Sequence, residues 1–261
     1  MAHILAFANH KGGVGKTTTT LNTGAALAAA GYRVLLIDVD PQANLTQSAG
    51  FREPARPSLY EALTNQATLA DTLLHVPPGP GVPGAGYDLV PSSLDLSGAE
   101  MELSGVAGRE YLLAELLAPL LPNYDFILLD CPPSLGLLTL NALTAARYLI
   151  IPLQTEYLAL QGLSKLTDVL GLIQKRLNRE LELLGVVATL FDRRKVLHRD
   201  VLDGITAHFG SRVFDTRIRD NIALAEAPSA GLDIYAYQPD SHGAHDYAAL
   251  VGEVLTRLGL R

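Results

Sequence analysis

The chain has 261 residues, a formal net charge of −7 and a single cysteine, Cys131. That length suffices for one large domain with a full core. The acidic balance confines any nucleic-acid contact to a local patch, and one thiol excludes intramolecular disulfides and an all-cysteine metal cage within one chain.

The cysteine usage suits a reducing cytoplasm. No apolar run approaches the roughly 18 residues of a membrane-spanning helix, and no basic segment followed by a long apolar core marks a signal peptide.

In chain order, Ile4 to Ala8 reads as a strand, and Asn9 to Thr18 reads N-H-K-G-G-V-G-K-T-T. A helix follows from Lys16 to Ala30, with Gly31 as its stop. Strand, glycine loop and helix form the context of a phosphate cradle. Gly12, Gly13 and Gly15 let the backbone turn sharply and aim its N–H groups inward, beside the positive end of the helix dipole. Val14 and Thr18 complete the loop. Lys16 supplies a cation for β- and γ-phosphates, and Thr17 a hydroxyl for Mg²⁺. The common spacing would place glycine at position 10, where this chain has His10. A further lysine, Lys11, lies too early in the loop to duplicate Lys16 and is expected to point outward, where it can complete a site on another subunit.

Val34 to Asp38 is the next strand, with Asp40 two residues on and Pro41 ending the run. Carboxylates at the carboxyl end of a parallel strand face the ligand crevice. One of Asp38 and Asp40 is expected to support Mg²⁺ and the other to orient the attacking water. Helices are expected at Leu59 to Leu63 and Leu69 to Leu74. Pro77 to Gly86, with four prolines and four glycines, reads as a loop inserted within one domain spanning 1–261.

Strands at Tyr87 to Val90 and Phe126 to Asp130 flank a helix at Arg109 to Leu121. The second strand ends on Asp130, which is expected to support Mg²⁺ from beside Thr17. Cys131 reads as a packing residue. Further on come a helix at Gly136 to Ala145, a strand at Tyr148 to Pro152, a helix at Leu160 to Leu177, a strand at Leu184 to Leu190, and helices at Arg199 to Phe209 and His245 to Leu258. Weaker strands are expected near Arg212 to Phe214 and Asp233 to Tyr235. The alternation predicts a doubly wound α/β fold, a mainly parallel sheet with helices on both faces.

Three segments carry a family resemblance: K-G-G-V-G-K-T-T, L-I-D-V-D-P-Q-A-N and L-L-D-C-P-P-S-L-G-L-L-T-L-N-A-L. With Leu153 to Ser164 and Leu224 to Ser229, they resemble the ParA/Soj partitioning ATPases of the ParA/MinD family, over nearly the whole chain. The resemblance implies an ATPase with Mg²⁺, slow alone and stimulated by a ParB-type centromere-binding protein. It implies an ATP sandwich homodimer that binds double-stranded DNA without sequence preference, in the cytoplasm on the nucleoid. By resemblance Lys11 is the cross-dimer lysine, Lys16 the main phosphate lysine, Asp40 the water-positioning acid, and Asp38 and Asp130 the support of the metal shell. Gly12 lies at the dimer seam.

Two departures bear on the base and on DNA. The family pattern I-P-R-N-V-R-L stands here as I-R-D-N-I-A-L, Ile218 to Leu224. Arg219 replaces the proline beside adenine, where its guanidinium plane can stack on the base. Asp220 and Ala223 replace arginines. Arg194 matches the other DNA-contacting arginine, and Arg193, Lys195, Arg199 and Arg217 extend the patch. From Asp192 to Arg219 seven Lys or Arg face four Asp, so the segment is +3 in a chain of −7. Backbone-directed, salt-sensitive binding is expected.

Competing readings are a membrane-riding MinD-like ATPase, which needs an amphipathic C-terminal helix; a cluster scaffold, which needs paired cysteines; and a synthetase that activates a carboxylate.

Overall fold

The computed structural model describes residues 2–53, 55–156 and 159–261, with residues 159–166 described by their backbone alone. The strands are β1 (His3–Phe7), β2 (Val34–Asp38), β3 (Leu74–Val76), β4 (Tyr87–Val90), β5 (Phe126–Asp130), β6 (Tyr148–Gln154), β7 (Glu182–Phe191) and β8 (Val213–Arg219). They form one sheet in the order β3-β4-β2-β5-β1-β6-β7-β8. Every pairing is parallel except β3 with β4.

Helices cover both faces because the central strands are apolar on both. Alternate residues of one strand divide between two cores. Leu35, Ile37, Ile127 and Leu129 face a cluster that includes α5 (Leu112–Leu117), α6 (Leu137–Ala145), α7 (Ala159–Arg176) and α8 (Val196–Phe209). Leu36, Phe126 and Leu128 face the opposite cluster, built on α1 (Lys16–Ala29) and α11 (His242–Arg257). The doubly wound α/β expectation holds.

Shorter helices complete the crevice: α2 (Asn44–Ser48), α3 (Leu59–Leu63), α4 (Leu96–Glu102), α9 (Ile222–Ala230) and α10 (Ile234–Tyr237). Three local expectations are corrected. Leu69 to Leu74 is a 3-10 turn over Leu69–Thr72, capped by Thr68 and Asp71, and Leu74 opens the antiparallel strand β3. The Pro/Gly segment is therefore the loop of the β3–β4 hairpin. Asp233 to Tyr235 is not a strand: the Asp233 carboxylate accepts the N–H groups of Tyr235 and Ala236 and starts α10. The Arg109 to Leu121 helix is shorter, α5 giving way to a 3-10 segment, Ala118–Asn123, that contains Pro122.

In an open α/β sheet, ligands bind beyond the carboxyl ends of the strands where the winding direction reverses. Here the chain leaves β1 through α1 toward β2, and leaves β5 through α6 toward β6 on the other side of β1. The glycine loop, Asp38, Asp130 and Thr189 all stand at that end.

Candidate nucleotide site

The loop after β1 is a turn that only glycine makes without strain at two points. Gly13 and Gly15 have φ of +74° and +81°, in the left-handed region. Gly15 is the N-cap of α1 and offers no capping side chain. As a result, none of the N–H groups of residues 12–18 donates to an acceptor among the described residues. Free N–H donors at a helix N-terminus are a ready anion site.

The loop is held from outside. Asn9 Nδ2 donates to the Pro152 carbonyl at 2.8 Å, and its Oδ1 accepts the Lys11 N–H at 3.1 Å. Thr189 Oγ1 on β7 donates to the Val14 carbonyl at 2.8 Å. Lys16 is buried, and its Nζ donates back to the Lys11 carbonyl at 3.1 Å. Burial lowers the Lys16 pKa, and the charges of Asp130 and Asp40 oppose that fall.

Asp130 binds two hydroxyls of α1: Thr17 Oγ1 at 2.7 Å and Thr20 Oγ1 at 3.3 Å. Its strand neighbour in register is Asp38. Both carboxyls are fully buried. Burial raises each above the usual carboxylate range, and for Asp130 the Asp38 charge adds to the rise. Asp38 Oδ2 accepts the N–H and Oγ1 of Thr46, at 2.8 and 2.7 Å, and its Oδ1 accepts the Asp40 N–H at 3.2 Å. The side chain of Asp38 is thus occupied in fixing α2 and the Asp40 backbone. Asp40 itself lines the cleft.

The cleft has a volume of about 510 Å³ and runs from Gly13, Lys16 and Asp40 to Leu224 and Tyr247. No group of three or more His, Cys, Asp or Glu side chains among the described residues forms a metal cage. The donor set instead fits Mg²⁺ carried with phosphates: one hydroxyl, Thr17, oriented by Asp130 and faced by Asp40.

Lys11 does leave the loop. Its side chain is 38% exposed and its Nζ is ion-paired with Glu156 of the same chain, just past β6. The family segment Leu153 to Ser164 includes Tyr157 and Leu158, which lie outside the described residues.

Arg219 lines the far end of the cleft, but its guanidinium is gripped by Asp246 of α11, with Nη2 to Oδ1 at 2.6 Å and Nε to both oxygens at 3.1 and 3.0 Å. Its plane is set by that carboxylate. A second cleft, of about 530 Å³, lies between the ends of β7 and β8 and shares Arg219 and Asp220 with the first. Arg193, Arg194 and Arg217 line it, and Lys195 and Arg199 are not among its walls. Arg199 donates instead to the Arg193 carbonyl at 3.2 Å. Arg217 is half-buried and donates to the carbonyls of Phe214 and Thr216. Sequence reasoning missed Thr189 and Tyr247, which tertiary packing brings to the first cleft, and Asp246 and Glu156, which it brings to Arg219 and Lys11.

Sheet order, glycine loop and the Thr17–Asp130 pair define a P-loop nucleotide-binding α/β protein. An AAA-domain family matches residues 2–183. The chain is 44% identical over 257 residues to the chromosome partitioning protein ParA of Caulobacter vibrioides, covering 97% of this chain and 94% of that protein. It is 43% identical over 255 residues to the sporulation initiation inhibitor protein Soj of Bacillus subtilis, covering 97% and 98%. Among solved structures it is similar to a Mycobacterium smegmatis protein described as cobyrinic acid a,c-diamide synthase with bound ADP and magnesium. That likeness has a TM-score of 0.86 at 38% identity, over 99% of this chain and 96% of that one. The chain belongs to the ParA/Soj family of partitioning ATPases.

Proposed function

We propose that the chain is a single ATPase domain that closes into an ATP sandwich homodimer, binds double-stranded DNA without sequence preference, and releases it on hydrolysis stimulated by a ParB-type partner. It would work in the cytoplasm on the nucleoid. The observation that carries the nucleotide half is the glycine loop, whose N–H groups from Gly12 to Thr18 have no acceptor among the described residues, with Lys16 and with Thr17 on Asp130.

In this reading the N–H groups of Gly12 to Thr18 and the Lys16 ammonium bind the β- and γ-phosphates. Thr17, oriented by Asp130, would hold Mg²⁺, which would supply charge neutralisation on those phosphates. Asp40 orients a water toward the γ-phosphorus. The new P–O bond forms from that water as the bond to the ADP oxygen breaks. Asp38 acts through others: its bonds to Thr46 and to the Asp40 N–H keep Asp40 at the cleft. Lys11 swings from Glu156 to the partner's triphosphate. The arginine cleft contacts the DNA backbone, and two weak patches on a dimer reinforce one another.

Gly12 offers a clean test of the seam. A Cβ built there meets nothing within 4 Å, and its φ lies outside the left-handed region. Gly12→Val is therefore expected to fold and bind ATP but to stay monomeric in light scattering. A variant that dimerised normally with ATP would remove Gly12 from the interface.

The burial of α11 weighs against the membrane-riding alternative. Tyr247, Leu250, Val251, Val254 and Leu255 are all buried in the core facing α1, which leaves this helix no free apolar face. No helix among the described residues is long and apolar enough to cross a membrane. A glutamine-fed amidation would need an accessible thiol to release ammonia, and Cys131 is buried with its pKa raised by burial. The direct experiment is turnover and DNA co-sedimentation with ADP, ATP and a nonhydrolysable analogue. Retention on DNA is expected only with the triphosphates. DNA-independent behaviour in all three would overturn the proposal.

A further inference from the structure

Four arginines line the second cleft, but they differ in freedom. Arg217 is half-buried and tied to two carbonyls, and Arg219 is clamped by Asp246. Arg194 is the opposite case. Its side chain is 86% exposed, yet its Nε and Nη2 donate to the two oxygens of Asp192, both at 3.0 Å. This fork-on-carboxylate geometry is the one by which arginine grips phosphate. Asp192 is the anchored partner: only 18% of its side chain is exposed, and its backbone N–H donates to His198 Nδ1 at 3.1 Å. Its Oδ1 also accepts the Arg194 N–H at 2.9 Å, closing a local turn.

We propose that Asp192 is a resident phosphate mimic that occupies Arg194 in free protein, so that a DNA phosphate enters this cleft only by displacing it. The proposal rests on the DNA-binding reading above and deepens it: the affinity of the patch is set as much by this acid as by its arginines. Hydrogen bonding from Arg194 holds the Asp192 carboxyl well below the usual range, so the competitor is charged throughout the physiological window. Because the Arg194 end of the pair is exposed, the pair is weak enough to exchange. When Arg194 moves to DNA, the abandoned carboxylate gathers a cation, which cancels part of the counterion release that drives binding.

Asp192→Asn separates charge from structure. The amide oxygen can still accept the Arg194 N–H and keep the turn, while the competing charge is gone. With a nonhydrolysable ATP analogue and a random-sequence duplex, anisotropy titrations across a salt series would compare wild type, Asp192→Asn, Arg194→Ala and the double variant. Asp192→Asn is expected to bind about threefold tighter per subunit, roughly tenfold for two patches acting together. Its slope of log affinity against log salt should steepen by about 0.9 per subunit. Arg194→Ala should weaken binding, and the gain from Asp192→Asn should vanish in the double variant.

If Arg194→Ala weakens binding but Asp192→Asn matches wild type in affinity and slope, the mimic is refuted and the DNA surface stands. If the gain persists without Arg194, Asp192 acts by general repulsion, which also refutes it. If Arg194→Ala changes nothing, the cleft is not a DNA surface, and both readings fail together.

Discussion

Lys16→Ala is expected to lower ATP affinity by at least about 100-fold while leaving a folded protein, measured by calorimetric titration. Lys16 sits in the loop with little exposure, its Nζ on the Lys11 carbonyl. A charge-assisted bond to phosphate in such a site is worth about 1.5–3 kcal/mol, and this ammonium would serve two phosphates at once. Its charge also acts on Asp130, which is paired in register with Asp38 and whose carboxyl burial already pushes up. Removing it leaves that pair with less compensation, so Mg²⁺ binding should fall along with nucleotide binding. ADP affinity should fall less than ATP affinity, because one of the two phosphates served is missing. Wild-type ATP affinity in this variant would overturn the site assignment.

The second large effect is expected at Asp40. Asp40→Ala should retain ATP binding and lose most turnover, by about 100-fold or more, as removal of a water-orienting group does. The reason is geometric. Asp40 lines the same cleft as Lys16 and Thr17, its backbone N–H is pinned to Asp38, and its Oδ1 accepts the Gln42 N–H. Its carboxylate can reach a water beyond the γ-phosphate without bearing on phosphate binding by the loop. The variant should therefore accumulate as the ATP-bound form. Unchanged steady-state turnover would remove Asp40 from the mechanism and leave the attacking water without an orienting group.

The parts of the fold that were legible in the residues are those whose physics is local. Val34–Asp38 and Phe126–Asp130 are read to the residue because strands buried on both faces are unbroken apolar runs ended by a polar residue, and Tyr87–Val90 is read to the residue although Asp88 interrupts its apolar run. The glycine loop was legible because phosphate binding constrains neighbouring positions.

What escaped was non-local or marginal. Strand β3 is three residues long and exists because β4 offers an edge. Helix α9 contains Pro228, a residue that argues against a helix, and forms because Asn221 caps it by accepting the Ala223 N–H. Glu156 meets Lys11 across 145 residues because β6 lies beside β1, and no periodicity announces that. The stacking role considered for Arg219 ignored Asp246, a polar residue on a helix face that sequence alone would send to solvent.

The central claim is that a triphosphate joins two copies through Lys11. It is tested most directly by light scattering on ATP-loaded Asp40→Ala with and without Lys11→Ala. Asp40→Ala should run at twice the 27.9 kDa chain mass, and the double variant should run as a monomer that still binds ATP. An Asp40→Ala protein monomeric at every concentration, or a dimer indifferent to Lys11, would contradict the account.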